Sequence, residues 1–192
     1  LALYLACFIE GYTAVPINPE TSQRDRERLL QFTRPTLVVS EISSRDVYAK
    51  EQDHKSLIVP GDPCGTAAIM FSSGSTGEPK GICLQRSRIL GAARAFGQFA
   101  GMNESTRMYH ALPMFYNAGL LNAYLAPLMV GGAIVEGPQF SFRTMLNFWK
   151  RPIKFKANYV CLTPTIAEAL CQLVPKNYNG EVSKGSIANI IC

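Results

Sequence analysis

Residues 72 to 81 follow an apolar run directly and combine hydroxyl groups, glycines and one lysine. The residues with this chemistry are Ser72, Ser73, Gly74, Ser75, Thr76, Gly77 and Lys80. Glycines allow the backbone to take positive φ and to turn its N–H groups towards an anion, while hydroxyls add donors and the lysine adds positive charge. The stretch therefore predicts a loop that binds a chain of phosphates, such as a triphosphate.

The Walker loop, G-x-x-x-x-G-K-[ST], is the obvious comparison, and it does not fit. Counting from Gly74, Pro79 stands where the pattern needs its second glycine, and Gly81 stands where the hydroxyl that binds Mg²⁺ belongs. The flanking residues 66–71 and 80–84 are predicted to be short strands, so we expect the loop to join two strands and not to open a helix. These differences disfavour a kinase or a GTPase.

Position by position, Ser72 to Gly81 resembles the signature loop of the adenylate-forming superfamily, which includes acyl-CoA synthetases, aryl-CoA ligases, luciferases and the adenylation domains of peptide synthetases. Residues 2–19, which end in Val-Pro-Ile-Asn-Pro, resemble the family's early helix, glycine and strand. Residues 112–120 resemble its motif Pro-x-Phe-His-x-x-Gly, with Tyr116 in place of the histidine. The sequence Thr-Pro-Thr at 163–165 stands where the family usually has Val-Pro-Thr. The resemblance spans nearly the whole chain.

The resemblance implies an acid–thiol ligase. Such an enzyme uses ATP to convert a carboxylic acid into an acyl-adenylate and pyrophosphate, and then transfers the acyl group to the thiol of coenzyme A or of phosphopantetheine on an acyl carrier protein. Carried over to this sequence, residues 72–77 hold the β- and γ-phosphates, and Lys80 neutralises charge as pyrophosphate leaves. Tyr116, Asn117 and Gly119 are expected to line the substrate pocket.

Tyr116 bears on the class of substrate. Amino-acid-activating members of the family tend to carry an aspartate here, which pairs with the α-ammonium group, because a buried charge needs such a partner. Tyr116 offers no charge, so a fatty or aryl acid is favoured, although a tyrosine that only packs is an equally good interpretation. An amino-acid adenylation domain stays open within the class. Outside the class, a nucleotide-binding module without catalysis and a degenerate interaction paralogue stay open.

The chain begins Leu1-Ala2 without a methionine and stops at Cys192 inside a predicted strand. We therefore expect residues 1–192 to be part of the N-terminal adenylation domain of a longer protein. By the resemblance, the acid that holds Mg²⁺, the residues that bind ribose and the adenylation lysine of a mobile C-terminal domain lie outside this chain. No catalytic residue or metal ligand is predicted within it, and the segment alone is expected to be inactive.

Predicted helices and strands alternate along the chain, which is the pattern of an α/β fold with layered sheets flanked by helices. Helices are predicted at residues 2–10, 22–33, 88–99, 118–128, 142–149 and 165–173. Strands are predicted at residues 13–17, 36–40, 57–59, 66–71, 80–84, 108–111, 133–135, 159–162 and 187–192. No internal repeat or long linker interrupts the pattern, so we expect one incomplete domain.

Composition and charge narrow the function classes. With 47% hydrophobic and 17% charged residues, the chain has enough apolar content for a core and no sign of disorder. Its formal net charge is +5. Basic and acidic residues mix along the predicted helix at 22–33, however, and no basic run is interleaved with aromatic residues, so nucleic acid is not an expected partner.

Apolar runs, cysteines and histidines bear on location and metal binding. No apolar run reaches the roughly 18 residues of a membrane span. The six cysteines form no C-x-x-C pair, which predicts reduced thiols and a cytoplasmic location. The two histidines, His54 and His110, have no cysteines at ligand spacing, so no metal site is predicted and His110 is expected to be structural.

Overall fold

The computed structural model describes residues 2–40, 65–72, 80–173, 187 and 189–191. Its helices are α1 (Ala2–Glu10), α2 (Gln23–Thr33), α3 (Arg86–Phe99), a π-helix (Ala118–Leu125) followed directly by α4 (Ala126–Met129), α5 (Phe142–Met145), α6 (Lys150–Lys154) and α7 (Pro164–Leu173). Its strands are β1 (Thr66–Ser72), β2 (Lys80–Gln85), β3 (Arg107–His110), β4 (Ala133–Glu136), β5 (Tyr159–Cys161) and β6 (Asn189–Ile191). The predicted α/β class is confirmed, and the strand predicted at 57–59 lies outside the described residues.

Helix α2 shows how local sequence sets the bounds of an element. The Ser22 hydroxyl accepts the backbone N–H of Asp25 at 3.2 Å and donates to the Asp25 carboxylate at 2.7 Å, as expected of an N-cap serine. At the other end, Arg34 takes a left-handed conformation, with φ 45° and ψ 58°, and its N–H donates to the Leu30 carbonyl. Pro35 cannot continue the helix. The predicted helix at 22–33 is therefore confirmed, with Ser22 as its cap.

Two sheets organise the described residues. Strands β1 and β2 form an antiparallel hairpin in which Thr66 pairs with Gln85 and Ser72 pairs with Lys80. The other four strands form a parallel sheet in the order β4-β3-β5-β6. Parallel strands need crossover connections, and helices supply each of them: the π-helix and α4 after β3, α5 and α6 after β4, and α7 after β5.

Alternating side chains of the parallel sheet enter two hydrophobic cores. Met108 and Tyr159 belong to the core shared with β1, α1, α3 and the π-helix. Tyr109 and Val160 belong to the core that includes Phe148 and α7. Successive residues of a strand face opposite sides of the sheet, which explains the division. The hairpin and the α5–α6 segment therefore lie on opposite sides of the parallel sheet.

Arg86 and Tyr4 attach helix α1 to the rest of the fold. The buried Arg86 guanidinium donates to the Phe8 carbonyl, and its central carbon lies 5.7 Å from the centre of the Phe8 ring. The Tyr4 hydroxyl donates to the Met114 carbonyl at 3.0 Å. These two contacts connect α1 to the start of α3 and to the segment before the π-helix.

Two predicted strands are wrong. Residues 13–17 form a single bridge, in which the Ala14 N–H donates to the Ala67 carbonyl at 3.0 Å. Residues 36–40 have no strand partner within the described part of the chain, and Leu37 is 77% exposed. β-Branched residues favour extended backbone, but a strand also needs a neighbour that completes its hydrogen bonds. Residue types along the chain do not reveal that neighbour.

Two predicted helices take a different form. Residues 118–128 are helical, but the first eight wind as a π-helix. The helix predicted at 142–149 ends at Met145, and α6 begins at Lys150. Pro152 is tolerated in α6 because it lies in the first turn, where its missing N–H has no partner to lose.

Candidate active site

The two ends of the predicted phosphate loop lie side by side. Ser72 is the last residue of β1, Lys80 is the first residue of β2, and the two are direct partners in the hairpin. Both side chains are exposed. Residues 73–79 lie outside the described residues, so the phosphate contacts of their hydroxyls and glycines stay predictions. The prediction that the loop joins two strands is confirmed, which distinguishes it from a Walker loop that opens a helix.

The hairpin is anchored through β1. Ala67, Ala68 and Met70 of this strand are buried in the core, whereas β2 is largely exposed. Gly81 pairs with Phe71, and a Cβ at Gly81 would lie 3.2 Å from the Phe71 ring. Glycine therefore lets the aromatic ring pack across the hairpin beside Lys80, whose side chain faces solvent.

Phe71 connects the hairpin to a small pocket of about 120 Å³. The pocket is lined by uncharged residues: Pro16, Ile17, Asn18, Thr21, Leu29, Phe71, Phe115 and Tyr116. Tyr116 is 56% exposed, and its ring centroid lies 4.6 Å from that of Phe115. Because Phe71 directly precedes Ser72, the structure brings the predicted pocket residue Tyr116 next to the base of the predicted phosphate loop.

Asn117 and Gly119 lie outside that lining. Asn117 is exposed and stands at the N-terminus of the π-helix. Gly119 is buried, and a Cβ there would lie 2.0 Å from the carbonyl oxygen of Pro113. This close approach of two backbone segments requires glycine. Packing thus accounts for Gly119, and a contact of either residue with substrate stays a prediction.

His110 ends β3 and is buried. Its Nε2 atom lies 3.1 Å from the Gly119 carbonyl oxygen, and since that oxygen can only accept, Nε2 carries the proton. Burial lowers the pKa of His110 below the ordinary value of 6.5, and the hydrogen bond to Gly119 opposes this shift less strongly. The ring also meets Tyr124 edge to face at 6.1 Å. These contacts support the structural role predicted for His110.

The described residues contain neither a metal-binding cluster nor a membrane-spanning helix. No group of three or more His, Cys, Asp or Glu side chains is placed there to hold a metal ion. None of the described helices combines the length and the apolar character that a bilayer crossing requires.

The pocket contains residues that the sequence did not point to. Pro16, Ile17 and Asn18 line it together with Tyr116, although they lie far from Tyr116 along the chain. A signal was present, because two prolines in Val-Pro-Ile-Asn-Pro restrict φ and hold this segment extended. The contact with Tyr116 itself is a product of tertiary packing.

Sequence comparisons identify relatives of this chain. The family model described as AMP-binding enzyme matches residues 1–188. The nonribosomal peptide synthetase dtxS1 of Metarhizium robertsii is 30% identical over 131 residues, which cover 68% of this chain and 2% of the synthetase. The sulfoacetate–CoA ligase of Cupriavidus necator is 26% identical over 148 residues, which cover 77% of this chain and 28% of the ligase. The chain thus spans less than a third of either relative.

A comparison of structures supports the same fold. ATP-bound MatB from Rhodopseudomonas palustris matches with a TM-score of 0.77 at 20% identity. The match covers 98% of this chain and 41% of the MatB chain. The two proteins therefore share a mixed α/β arrangement in which a parallel sheet is flanked by helices.

Proposed function

This chain belongs to the AMP-binding enzyme family, and from that premise we propose that it supplies the ATP phosphate loop and part of the acyl pocket of an acid–thiol ligase. The enzyme converts a carboxylic acid into an acyl-adenylate, releases pyrophosphate and passes the acyl group to a thiol. Residues 1–192 form part of its N-terminal adenylation domain. Mg²⁺ accompanies the ATP and takes its protein ligands from outside the described residues.

The observation that carries this proposal is the pairing of Ser72 with Lys80 beside an uncharged pocket. In adenylation, a carboxylate oxygen attacks the α-phosphorus of ATP and the bond to pyrophosphate breaks. Negative charge grows on the departing pyrophosphate, and an ammonium group held at the hairpin end can neutralise it. Lys80 is the described residue with that charge at that place. The acyl chain of the acid lies among the apolar groups around Phe71 and Tyr116.

The pocket favours an acid whose acyl part carries no charge. Its lining offers no carboxylate to pair with an α-ammonium group, and the exposed ring of Tyr116 suits a fatty or aryl acid. A CoA ligase among the relatives supports coenzyme A as the acceptor, and a peptide synthetase among them supports the phosphopantetheine of a carrier protein. The peptide synthetase relative supports the alternative, an amino-acid adenylation domain. The free thiols of Cys7, Cys83 and Cys171 are consistent with a cytoplasmic enzyme.

The test is pyrophosphate release by the full-length protein with hydroxylamine trapping of the acyl-adenylate. Fatty, aryl and amino acids are compared as substrates. The Lys80→Ala variant removes the proposed charge. The Lys156→Asn variant is the matched control, since it removes one positive charge elsewhere, and asparagine tolerates the left-handed φ of 52° at that position.

The proposal expects release with a fatty or aryl acid, loss of that release in Lys80→Ala and its retention in Lys156→Asn. Pyrophosphate release with amino acids alone would favour the alternative, an amino-acid adenylation domain. Binding of ATP without release for any acid would identify a nucleotide-binding module without catalysis. A Lys80→Ala variant as active as the wild type would contradict the role given to the hairpin.

A further inference from the structure

The positive charge of this chain is concentrated in one segment. The chain contains 19 basic and 14 acidic residues. Residues 137–167 hold five of the basic residues and none of the acidic ones, so the remaining residues carry 14 of each. This segment, which runs from the end of β4 through α5, α6 and β5 into α7, therefore accounts for the whole net charge of +5.

Four of the five basic side chains line a single cleft of about 560 Å³. They are Arg143, Lys150, Arg151 and Lys154, and the lining also includes Tyr109 and Phe155. Ligand sites typically enclose roughly 300 to 1,000 Å³. The cleft lies at the α5–α6 segment, on the opposite side of the parallel sheet from the β1–β2 hairpin. It is therefore separate from the candidate active site.

No carboxylate among the described residues neutralises the charges of the cleft. Within the described residues, none of the four cations forms an ion pair. The Arg151 guanidinium carbon lies 5.8 Å and the Lys154 Nζ atom 5.5 Å from the centre of the Phe155 ring. Such contacts hold the cations in place and leave their charge intact. The cleft thus presents a positive field that no described carboxylate compensates.

Tyr109 adds a hydrogen-bond donor from the bottom of the cleft. The residue is 1% exposed, and its ring packs edge to face against Phe148 at 5.2 Å. A Cβ at Gly137 would lie 2.4 Å from the Tyr109 hydroxyl, so the glycine makes room for it. The hydroxyl forms no hydrogen bond with the described residues. Every fully enclosed side-chain oxygen among those residues has a hydrogen-bond partner, so the Tyr109 hydroxyl is not fully enclosed and opens to the cleft. Burial raises the pKa of Tyr109 more than Arg151 lowers it, which keeps the hydroxyl protonated.

We propose that this cleft binds a small molecule with two or more phosphate groups. Its four cations pair with the phosphate oxygens, and the Tyr109 hydroxyl donates to one of them. Each phosphate carries about 1.5 to 2 negative charges at neutral pH, so two phosphates match the four cations in number of charges. Charge-assisted hydrogen bonds from arginine and lysine to phosphate are stronger than neutral ones, and the planar arginine side chains can bind two oxygens at once.

The test is isothermal titration calorimetry of the full-length Lys80→Ala variant, in which the proposed hairpin site is disabled. Pyrophosphate probes two linked phosphates, and inorganic phosphate probes one. We expect pyrophosphate to bind more tightly than inorganic phosphate. Equal affinities would overturn the proposal, because the second phosphate would then contribute nothing.

Further substitutions in the same background identify the site. The double variant Arg151→Ala and Lys154→Ala should bind pyrophosphate about a hundredfold more weakly, or about tenfold for each charge-assisted hydrogen bond removed. Tyr109→Phe keeps the buried ring and should weaken binding about fivefold by removing one neutral donor. Lys156→Asn, which changes charge outside the cleft, should leave the affinity unchanged. Circular dichroism of each variant checks that the fold is intact.

Three results would overturn the proposal. An unchanged affinity of the double variant for pyrophosphate would show that the anion binds elsewhere. An equal loss of affinity in Lys156→Asn would show that only the net charge of the protein matters. Binding to vesicles of phosphatidylcholine and phosphatidylserine without binding to pyrophosphate would identify a membrane-facing surface instead. The wild-type assay of pyrophosphate release reports on the hairpin independently, so failure of this site is distinguishable from failure of the proposed function.

Discussion

The β1–β2 hairpin and the four-stranded parallel sheet differ in how far their strands are buried. In β2, every residue except Leu84 is exposed, whereas all three residues of β5 are buried. The hairpin presents the ends of the predicted phosphate loop to solvent, and the parallel sheet forms the boundary between the two cores. We therefore expect substitutions in the hairpin loop to change chemistry and substitutions around the parallel sheet to change stability.

The largest effect on stability is expected from Phe148→Ala, beside the parallel sheet. Phe148 is 4% exposed and its ring contacts Tyr109 and Trp149 edge to face, so truncation leaves a cavity. We expect the free energy of unfolding to fall by about 3 to 5 kcal/mol. Urea denaturation measures it, with Phe99→Ala as the matched control because Phe99 is 92% exposed. Equal losses in the two variants would contradict the assignment of Phe148 to a core.

Thr76→Ala tests the hairpin side of the comparison. If Thr76 donates to a phosphate, its loss should raise the barrier to adenylation by about 2.7 to 4 kcal/mol and slow the reaction by two to three orders of magnitude. The free energy of unfolding should change by no more than about 0.5 kcal/mol, because the role expected of Thr76 is phosphate binding and not packing. Pyrophosphate exchange and urea denaturation measure the two quantities. An exchange rate equal to that of the wild type would contradict the assignment of Thr76 to the phosphate site.

Substitutions at two glycines test how packing affects the free energy of unfolding. Gly119→Ala places a methyl group against the Pro113 carbonyl and should cost about 1 to 3 kcal/mol of unfolding free energy. Gly91 lies in α3, and a Cβ there meets no atom within 4 Å. Gly91→Ala should therefore stabilise the protein by about 0.5 to 1 kcal/mol. Urea denaturation of both variants measures the difference, and a loss in Gly91→Ala would show that the helix cannot accept the methyl group.

The smallest effect is a pH dependence from His110. Burial lowers the pKa of His110 in the folded protein below the 6.5 of an unperturbed histidine, so the unfolded state binds the proton more readily. Stability should fall as the pH drops below 6.5, until the pH reaches the lowered pKa of the folded state. Urea midpoints from about pH 8 to about pH 5 measure the slope. His110→Gln should flatten it, and an unchanged slope in that variant would assign it to another group.

The fold was predictable to the extent that it follows from local patterns. Helix α2 matches its prediction because Ser22 and Pro35 mark its ends in the sequence. The strands predicted at 13–17 and 36–40 fail because an extended residue becomes part of a sheet only when another strand lies next to it. The prediction of one helix at 142–149 fails for a related reason, because the spacing of its apolar residues is compatible with one helix or with two.

The chemistry of the candidate site stays a prediction from the sequence, and its geometry was only partly predictable. The positions of Ser72 and Lys80 at facing strand ends follow from apolar strands on either side of a glycine-rich loop. The position of Tyr116 beside Phe71 required the tertiary structure, because the two residues belong to different segments of the chain. Gly119 was predicted as a pocket residue, and the structure gives it a packing role at Pro113.

The sequence by itself determined the family, the alternation of helices and strands and the bounds of α2. Each of these features depends on residue types at short spacing along the chain, so each can be recognised from the sequence alone. Only the tertiary structure decided which strands find partners, which residues surround Tyr116 and which cations gather around Tyr109. These contacts join residues that are distant in the chain, and packing of side chains between sheets and helices selects them.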